Sequence, residues 1–119
     1  MAIKVTANLE NKIAQLKQIE QQLQTVVTQR YQIEIKLSEI KTTLEELEKV
    51  GKDTPVYKQA GSILLRVKDV EDLKKEMEDS KETLEIKKKT LEKQEKALKS
   101  SYEALQQEIA SALQMQQPQ

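Results

Sequence analysis

The sequence predicts a mostly α-helical protein, a long antiparallel coiled-coil hairpin of two helices with one central β-hairpin. Three observations carry that fold class. Charged residues make up 34 % of the 119 residues, with two Gly, two Pro and neither Phe nor Trp. That composition belongs to long helices rather than to a spherical core. Apolar residues recur with heptad spacing in both halves. The segment between the halves, residues 54–68, is instead dense in β-branched and aliphatic residues.

The first helix is expected over about residues 6–50, from its heptad pattern. With Leu9 at position a, that series runs Leu9, Leu16, Leu23, Arg30, Leu37 and Leu44. The d series runs Lys12, Ile19, Val26, Ile33, Ile40 and Leu47. All but Arg30 and Lys12 are apolar. Lys49 in the last turn, Gly51 and Pro55 mark its end, because Gly adopts a left-handed cap and Pro cannot continue a helix. Thr42-x-x-Glu45 has the form of a capping box, but it lies inside an unbroken heptad.

The second helix is expected over about residues 69–114. Asp69 is the N-cap, and Glu71 and Asp72 sit where the helix dipole favours negative charge. Val70, Met77, Leu84, Leu91, Leu98, Leu105 and Ala112 form one seven-residue series. Leu73, Ser80, Lys87, Gln94, Ser101 and Glu108 form its poorer companion. Glu–Lys pairs four apart, including Glu71–Lys75 and Glu95–Lys99, support the exposed side. Pairing the good series antiparallel sets Leu47 against Val70, Ile40 against Met77 and Ile19 against Leu98. It also sets Arg30 beside Lys87, which must then point to solvent. Each helix should reach about 65–70 Å at 1.5 Å per residue. Residues 115–119 are expected to form a flexible tail, so the chain reads as a single domain over 1–119.

Two strands are expected at about 55–59 and 62–67, with Gly61 in a turn centred on Ala60-Gly61. One face then carries Val56, Ile63, Leu65 and Val67, and the other Tyr57 and Leu64. A lone two-stranded hairpin is marginal in water, and unpaired edges recruit other strands. Residues 54–68 are therefore expected to serve oligomerisation. Met1, Ile3, Val5, Ile109, Leu113 and Met115 gather apolar side chains at the chain ends. Adaptable side chains of this kind make a promiscuous contact surface, or else they close the coil.

Several function classes are excluded or disfavoured. With no His and no Cys, catalytic triads and most transition-metal sites are out, and no phosphate-binding Gly loop exists. Paired carboxylates such as Glu45-Glu46 are solvated helix surface. No cofactor and no enzymatic activity are expected. Zero net charge argues against nucleic acid as a partner. No apolar run is long enough for a membrane, and Met1–Val5 lacks a signal-peptide core. A cytoplasmic location is expected.

The order of a long helix, a Gly stop, Val56-Tyr57-Lys58-x-x-Gly61-x-x-Leu64-Leu65-x-Val67 and a second helix of equal length resembles a prefoldin β-type subunit of the archaeal kind. The similarity covers nearly the whole chain, and its distinctive part is the central hairpin. The resemblance implies an α2β4 hexamer of prefoldin α-type subunits and further β-type copies. It implies an ATP-independent holding chaperone that binds unfolded polypeptides and delivers them to a group II chaperonin. The client-binding positions would be Ile3, Val5, Leu9, Ile109, Leu113 and Met115. The oligomerisation positions would be Val56, Tyr57, Ile63, Leu64, Leu65 and Val67. The alternative is a structural, filament-forming or adaptor coiled-coil protein.

Overall fold

The computed structural model describes residues 6–116; the expectations for Met1, Ile3, Val5 and the tail beyond Gln116 lie outside them. The order is helix α1 (Ala7–Lys49), strand β1 (Tyr57–Ala60), strand β2 (Ile63–Arg66) and helix α2 (Val70–Gln116). The two strands form one antiparallel sheet. Each element starts and stops on local chemistry. The Thr6 hydroxyl accepts the Leu9 amide at 3.1 Å, capping α1. The Asp69 carboxylate accepts the amides of Glu71 and Asp72 at 3.0 and 3.4 Å, as expected of the α2 cap.

Two compact units divide the described chain. Among the described residues, one draws on residues 6–31 and 89–116, the other on residues 32–88. Within each, an α1 segment pairs antiparallel with an α2 segment. Leu9, Val26 and Leu47 are buried, and the remaining a and d positions of α1 are half-buried. The first-helix heptad thus lies on the packed side throughout.

The second helix differs from its expected pattern. Its main series from Val70 to Ala112 is half-buried, but the companion stripe lies one residue later, at Lys81, Lys88, Glu95, Tyr102 and Ile109. Ser80, Lys87, Gln94, Ser101 and Glu108 are exposed. The register moves with the stripe. In the first unit, Arg30 reaches Glu95, Glu20 reaches Tyr102 and Lys12 reaches Glu108. In the second, Glu34 reaches Lys88 and Glu48 reaches Lys74. Glu108, Tyr102, Lys88 and Lys74 lie about one helical turn beyond the residue that the apolar pairing sets opposite, and Glu95 lies about two turns beyond. Long amphipathic side chains can cover a seam with their methylenes while their heads pair at its margin. An apolar match alone does not weigh that option.

Candidate functional site

Two regions hold the residues singled out for function. The first is the hairpin, within residues 32–88. Tyr57 pairs with Arg66, Lys58 with Leu65, Gln59 with Leu64 and Ala60 with Ile63. The Val67 amide donates to the Val56 carbonyl at 2.8 Å, extending the pairing toward the helices. Directly opposed residues share a face, so Val56, Ile63, Leu65 and Val67 lie on one side and Tyr57 and Leu64 on the other. Both face assignments hold.

The turn itself is one residue later than expected, at Gly61-Ser62. Gly61 has φ +62°, and among the described residues no non-Gly residue has positive φ. Positive φ confined to the first central residue marks a type II′ turn, whose twist suits a hairpin and whose first position favours Gly. Strands of four residues flank it, shorter than anticipated.

The apolar side chains of the hairpin have little to cover them. Tyr57, Ile63, Leu64 and Leu65 are 50–68 % exposed. Only Val56 and Val67, at the base, are half-buried. A cleft of about 330 Å³ near the base is lined by Ile40, Tyr57, Leu73 and Met77. Lys58 and Glu76, both exposed, approach to 3.9 Å. Three consecutive exposed aliphatic residues on a two-stranded sheet with two open edges make a surface suited to strand addition and apolar burial.

The second region is the start of α1 with the end of α2, within residues 6–31 and 89–116. Met115 is 87 % exposed, whereas Ile109 and Leu113 are half-buried. Leu9 is only 2 % exposed. Of the four described residues expected to contact clients, Leu9 therefore offers the least surface. Ala104, Gln107, Ala112 and Met115 line an open groove with Lys12.

Polar pairs fix the helix contacts around both regions. Arg30 and Glu95 meet at 2.9 Å through Nε and 3.3 Å through a terminal nitrogen, with side chains 24 % and 12 % exposed. The Arg30 hydrogen bonds hold the Glu95 carboxyl below its ordinary range, against the opposing cost of desolvation. Tyr102 donates its hydroxyl to Glu20 at 2.9 Å, and that bond raises the phenol. Lys74 bonds Glu48 and Glu71 at 3.3 and 3.4 Å, and its pKa is raised chiefly by Glu48. Sequence reasoning placed none of these cross-helix pairs. Reading the companion stripe one position later, where Tyr102 and Ile109 supply large side chains, would have found them.

A family model described as prefoldin subunit matches residues 10–116. The chain belongs to the prefoldin subunit family. Among similar proteins is a prefoldin subunit beta of Archaeoglobus fulgidus, 48 % identical over 67 residues, which cover 56 % of this chain and 58 % of that one. Another, from Methanosarcina acetivorans, is 37 % identical over 63 % of this chain and 64 % of its own. The chain thus spans little more than half the length of the curated relatives it matches. The solved prefoldin beta subunit from Thermococcus strain KS-1 is 32 % identical, with a TM-score of 0.81 over 94 % of this chain and 97 % of that one. Membership of this prefoldin family accounts for the helix–hairpin–helix order. Among the described residues no helix is long and apolar enough to cross a membrane.

Proposed function

We propose that this chain is the β-type subunit of a prefoldin-like hexamer with two α-type and four β-type members. The complex works as an ATP-independent holding chaperone in the cytoplasm. The observation that carries this reading is the exposed run Ile63-Leu64-Leu65 on a sheet of only two strands. Such a hairpin gains stability when a neighbouring subunit adds strands to its edges and covers its faces. Val56, Tyr57, Ile63, Leu64, Leu65 and Val67 join subunits. Ile3, Val5, Leu9, Ile109, Leu113 and Met115 hold non-native polypeptides. Met115 supports that role because a long, flexible and uncovered thioether side chain adapts to unrelated apolar surfaces. Held clients pass to a group II chaperonin.

The test is suppression of client aggregation by the assembled protein, with and without residues 1–8 and 110–119. The truncated form is expected to assemble to the same size by light scattering and to lose most of its holding activity. Undiminished activity would remove the client site from the helix ends. A distribution of filament lengths in place of one closed size would overturn the hexamer.

A further inference from the structure

We propose that Arg30 and Glu95 are positioning residues: their pair fixes the register of α1 against α2 in the unit of residues 6–31 and 89–116, and with it the cover of the apolar side chains at the helix ends, about 20–30 Å away. The importance of those ends to clients rests on the holding reading above; the register key itself does not.

The apolar side chains of this unit do not choose one register by themselves. Leu98 shares a groove with Gln22 and Val26. A slip of one turn toward the start of α1 would set it between Ile19 and Leu23, and a slip the other way would set it beside Val26 and Val27. Aliphatic residues receive it in each case, because both the a and the d series of α1 are apolar here. In such a helix pair a single polar position can specify the register.

Polar bonds across the pair do discriminate. Arg30 donates to Glu95 at 2.9 and 3.3 Å, Tyr102 donates to Glu20 at 2.9 Å, and Lys12 stands 3.6 Å from Glu108. A slip of four residues brings Leu91 or Lys99 to the place of Glu95. It brings Leu98 or Gln106 to the place of Tyr102, and Ala104 or Ala112 to the place of Glu108. All three bonds are lost together in either direction. The Arg30–Glu95 pair dominates, because its side chains are only 24 % and 12 % exposed. Separating it strands two charges where water reaches them poorly. Glu108 is 54 % exposed, and water replaces its partner readily. Arg30 is also the one charged residue from Gln21 to Ile33, so α1 offers Glu95 no second cation within a turn.

The ends depend on the same register. Leu9 is 2 % exposed, Ile109 and Leu113 are half-buried and Met115 is 87 % exposed. A slip of one turn moves α1 along α2 by about 5 Å, so a different residue of α2 would cover Leu9.

The chain has no Cys, so introduced cysteines are labelled selectively. Nitroxides at Asn11→Cys and Lys93→Cys, both exposed positions, report the slide by pulsed electron double resonance. Labelled chain is diluted with unlabelled chain in the full assembly. Arg30→Leu with Glu95→Leu keeps the layer filled without the charges, and the parent's single distance is expected to split into two about 5 Å apart. Arg30→Glu alone and Glu95→Arg alone are each expected to move the distance by a similar amount, and the double reversal to restore it. Suppression of client aggregation is expected to fall in each single reversal and to return in the double. Circular dichroism checks that the helices persist. An unsplit parent distance in the double-leucine protein overturns the proposal, as does a distance that neither single reversal moves. Undiminished holding at a moved distance overturns the positioning of the ends. A parent assembly that suppresses no aggregation sinks the holding reading instead, and the distances still decide the register key.

Discussion

Arg30 carries charge at a heptad position that an aliphatic residue would ordinarily fill. Its guanidinium stays close to the seam because Glu95, only 12 % exposed, accepts from it at two points. Partly buried pairs of this kind add little net stability, but they penalise any register that separates them. Glu95 has a lowered folded pKa. Its contribution is therefore present above the unfolded carboxylate value of about 4.3, and it is lost as pH falls through the folded value. Glu95→Gln should lower the Tm at neutral pH, and the gap from the parent should close as pH falls below about 4. Thermal melts across the acid range check this; a constant gap would mean that the carboxylate charge is irrelevant. Arg30 is legible in the sequence as a break in the apolar series. Its partner is not, because reach across a helix pair depends on register.

The hairpin depends on one glycine. A Cβ at Gly61 would meet nothing within 4 Å, so space does not explain the residue. Its φ of +62° does, since L-residues pay about 1–2 kcal/mol in the left-handed region. Gly61→Val should weaken hairpin formation, and with it assembly, while leaving both helices intact. Size-exclusion chromatography beside far-ultraviolet circular dichroism separates the two effects. A variant that assembles as tightly as the parent would show that neighbouring strands, not the turn, impose the conformation. The strands and their faces were readable from the sequence, because alternation survives a shift of the turn by one residue. The turn centre was not, because Ala60-Gly61 and Gly61-Ser62 both place a glycine in the bend.

At the scale of the whole molecule, the exposed aliphatic side chains decide behaviour. Ile63 and Leu65 share the face that Val56 and Val67 begin, and they stand 57 % and 50 % exposed. Fully burying such a side chain is worth roughly 1.5–3 kcal/mol, so several copies meeting in a shared sheet supply ample driving force. Ile63→Lys with Leu65→Lys should reduce the assembly to single chains while most helicity remains. Sedimentation velocity reads the outcome, and an oligomer of unchanged size would relocate the interface. The helix-end residues Ile109, Leu113 and Met115 were legible as apolar. Their unequal exposure was not, because it depends on what each meets across the pair.

By itself the sequence determined the order of elements, the N-cap at Asp69, the packed face of α1 and the two faces of the hairpin. These follow from periodicity and local hydrogen bonding, which act over a few residues. Only the tertiary structure decided which stripe of α2 accompanies the main series, how the helices register and that Leu9 is covered. The physical reason is that a polar stripe of lysine, glutamate and tyrosine can still pack, through its methylenes and across-helix bonds. Its value depends on partners that lie scores of residues away along the chain.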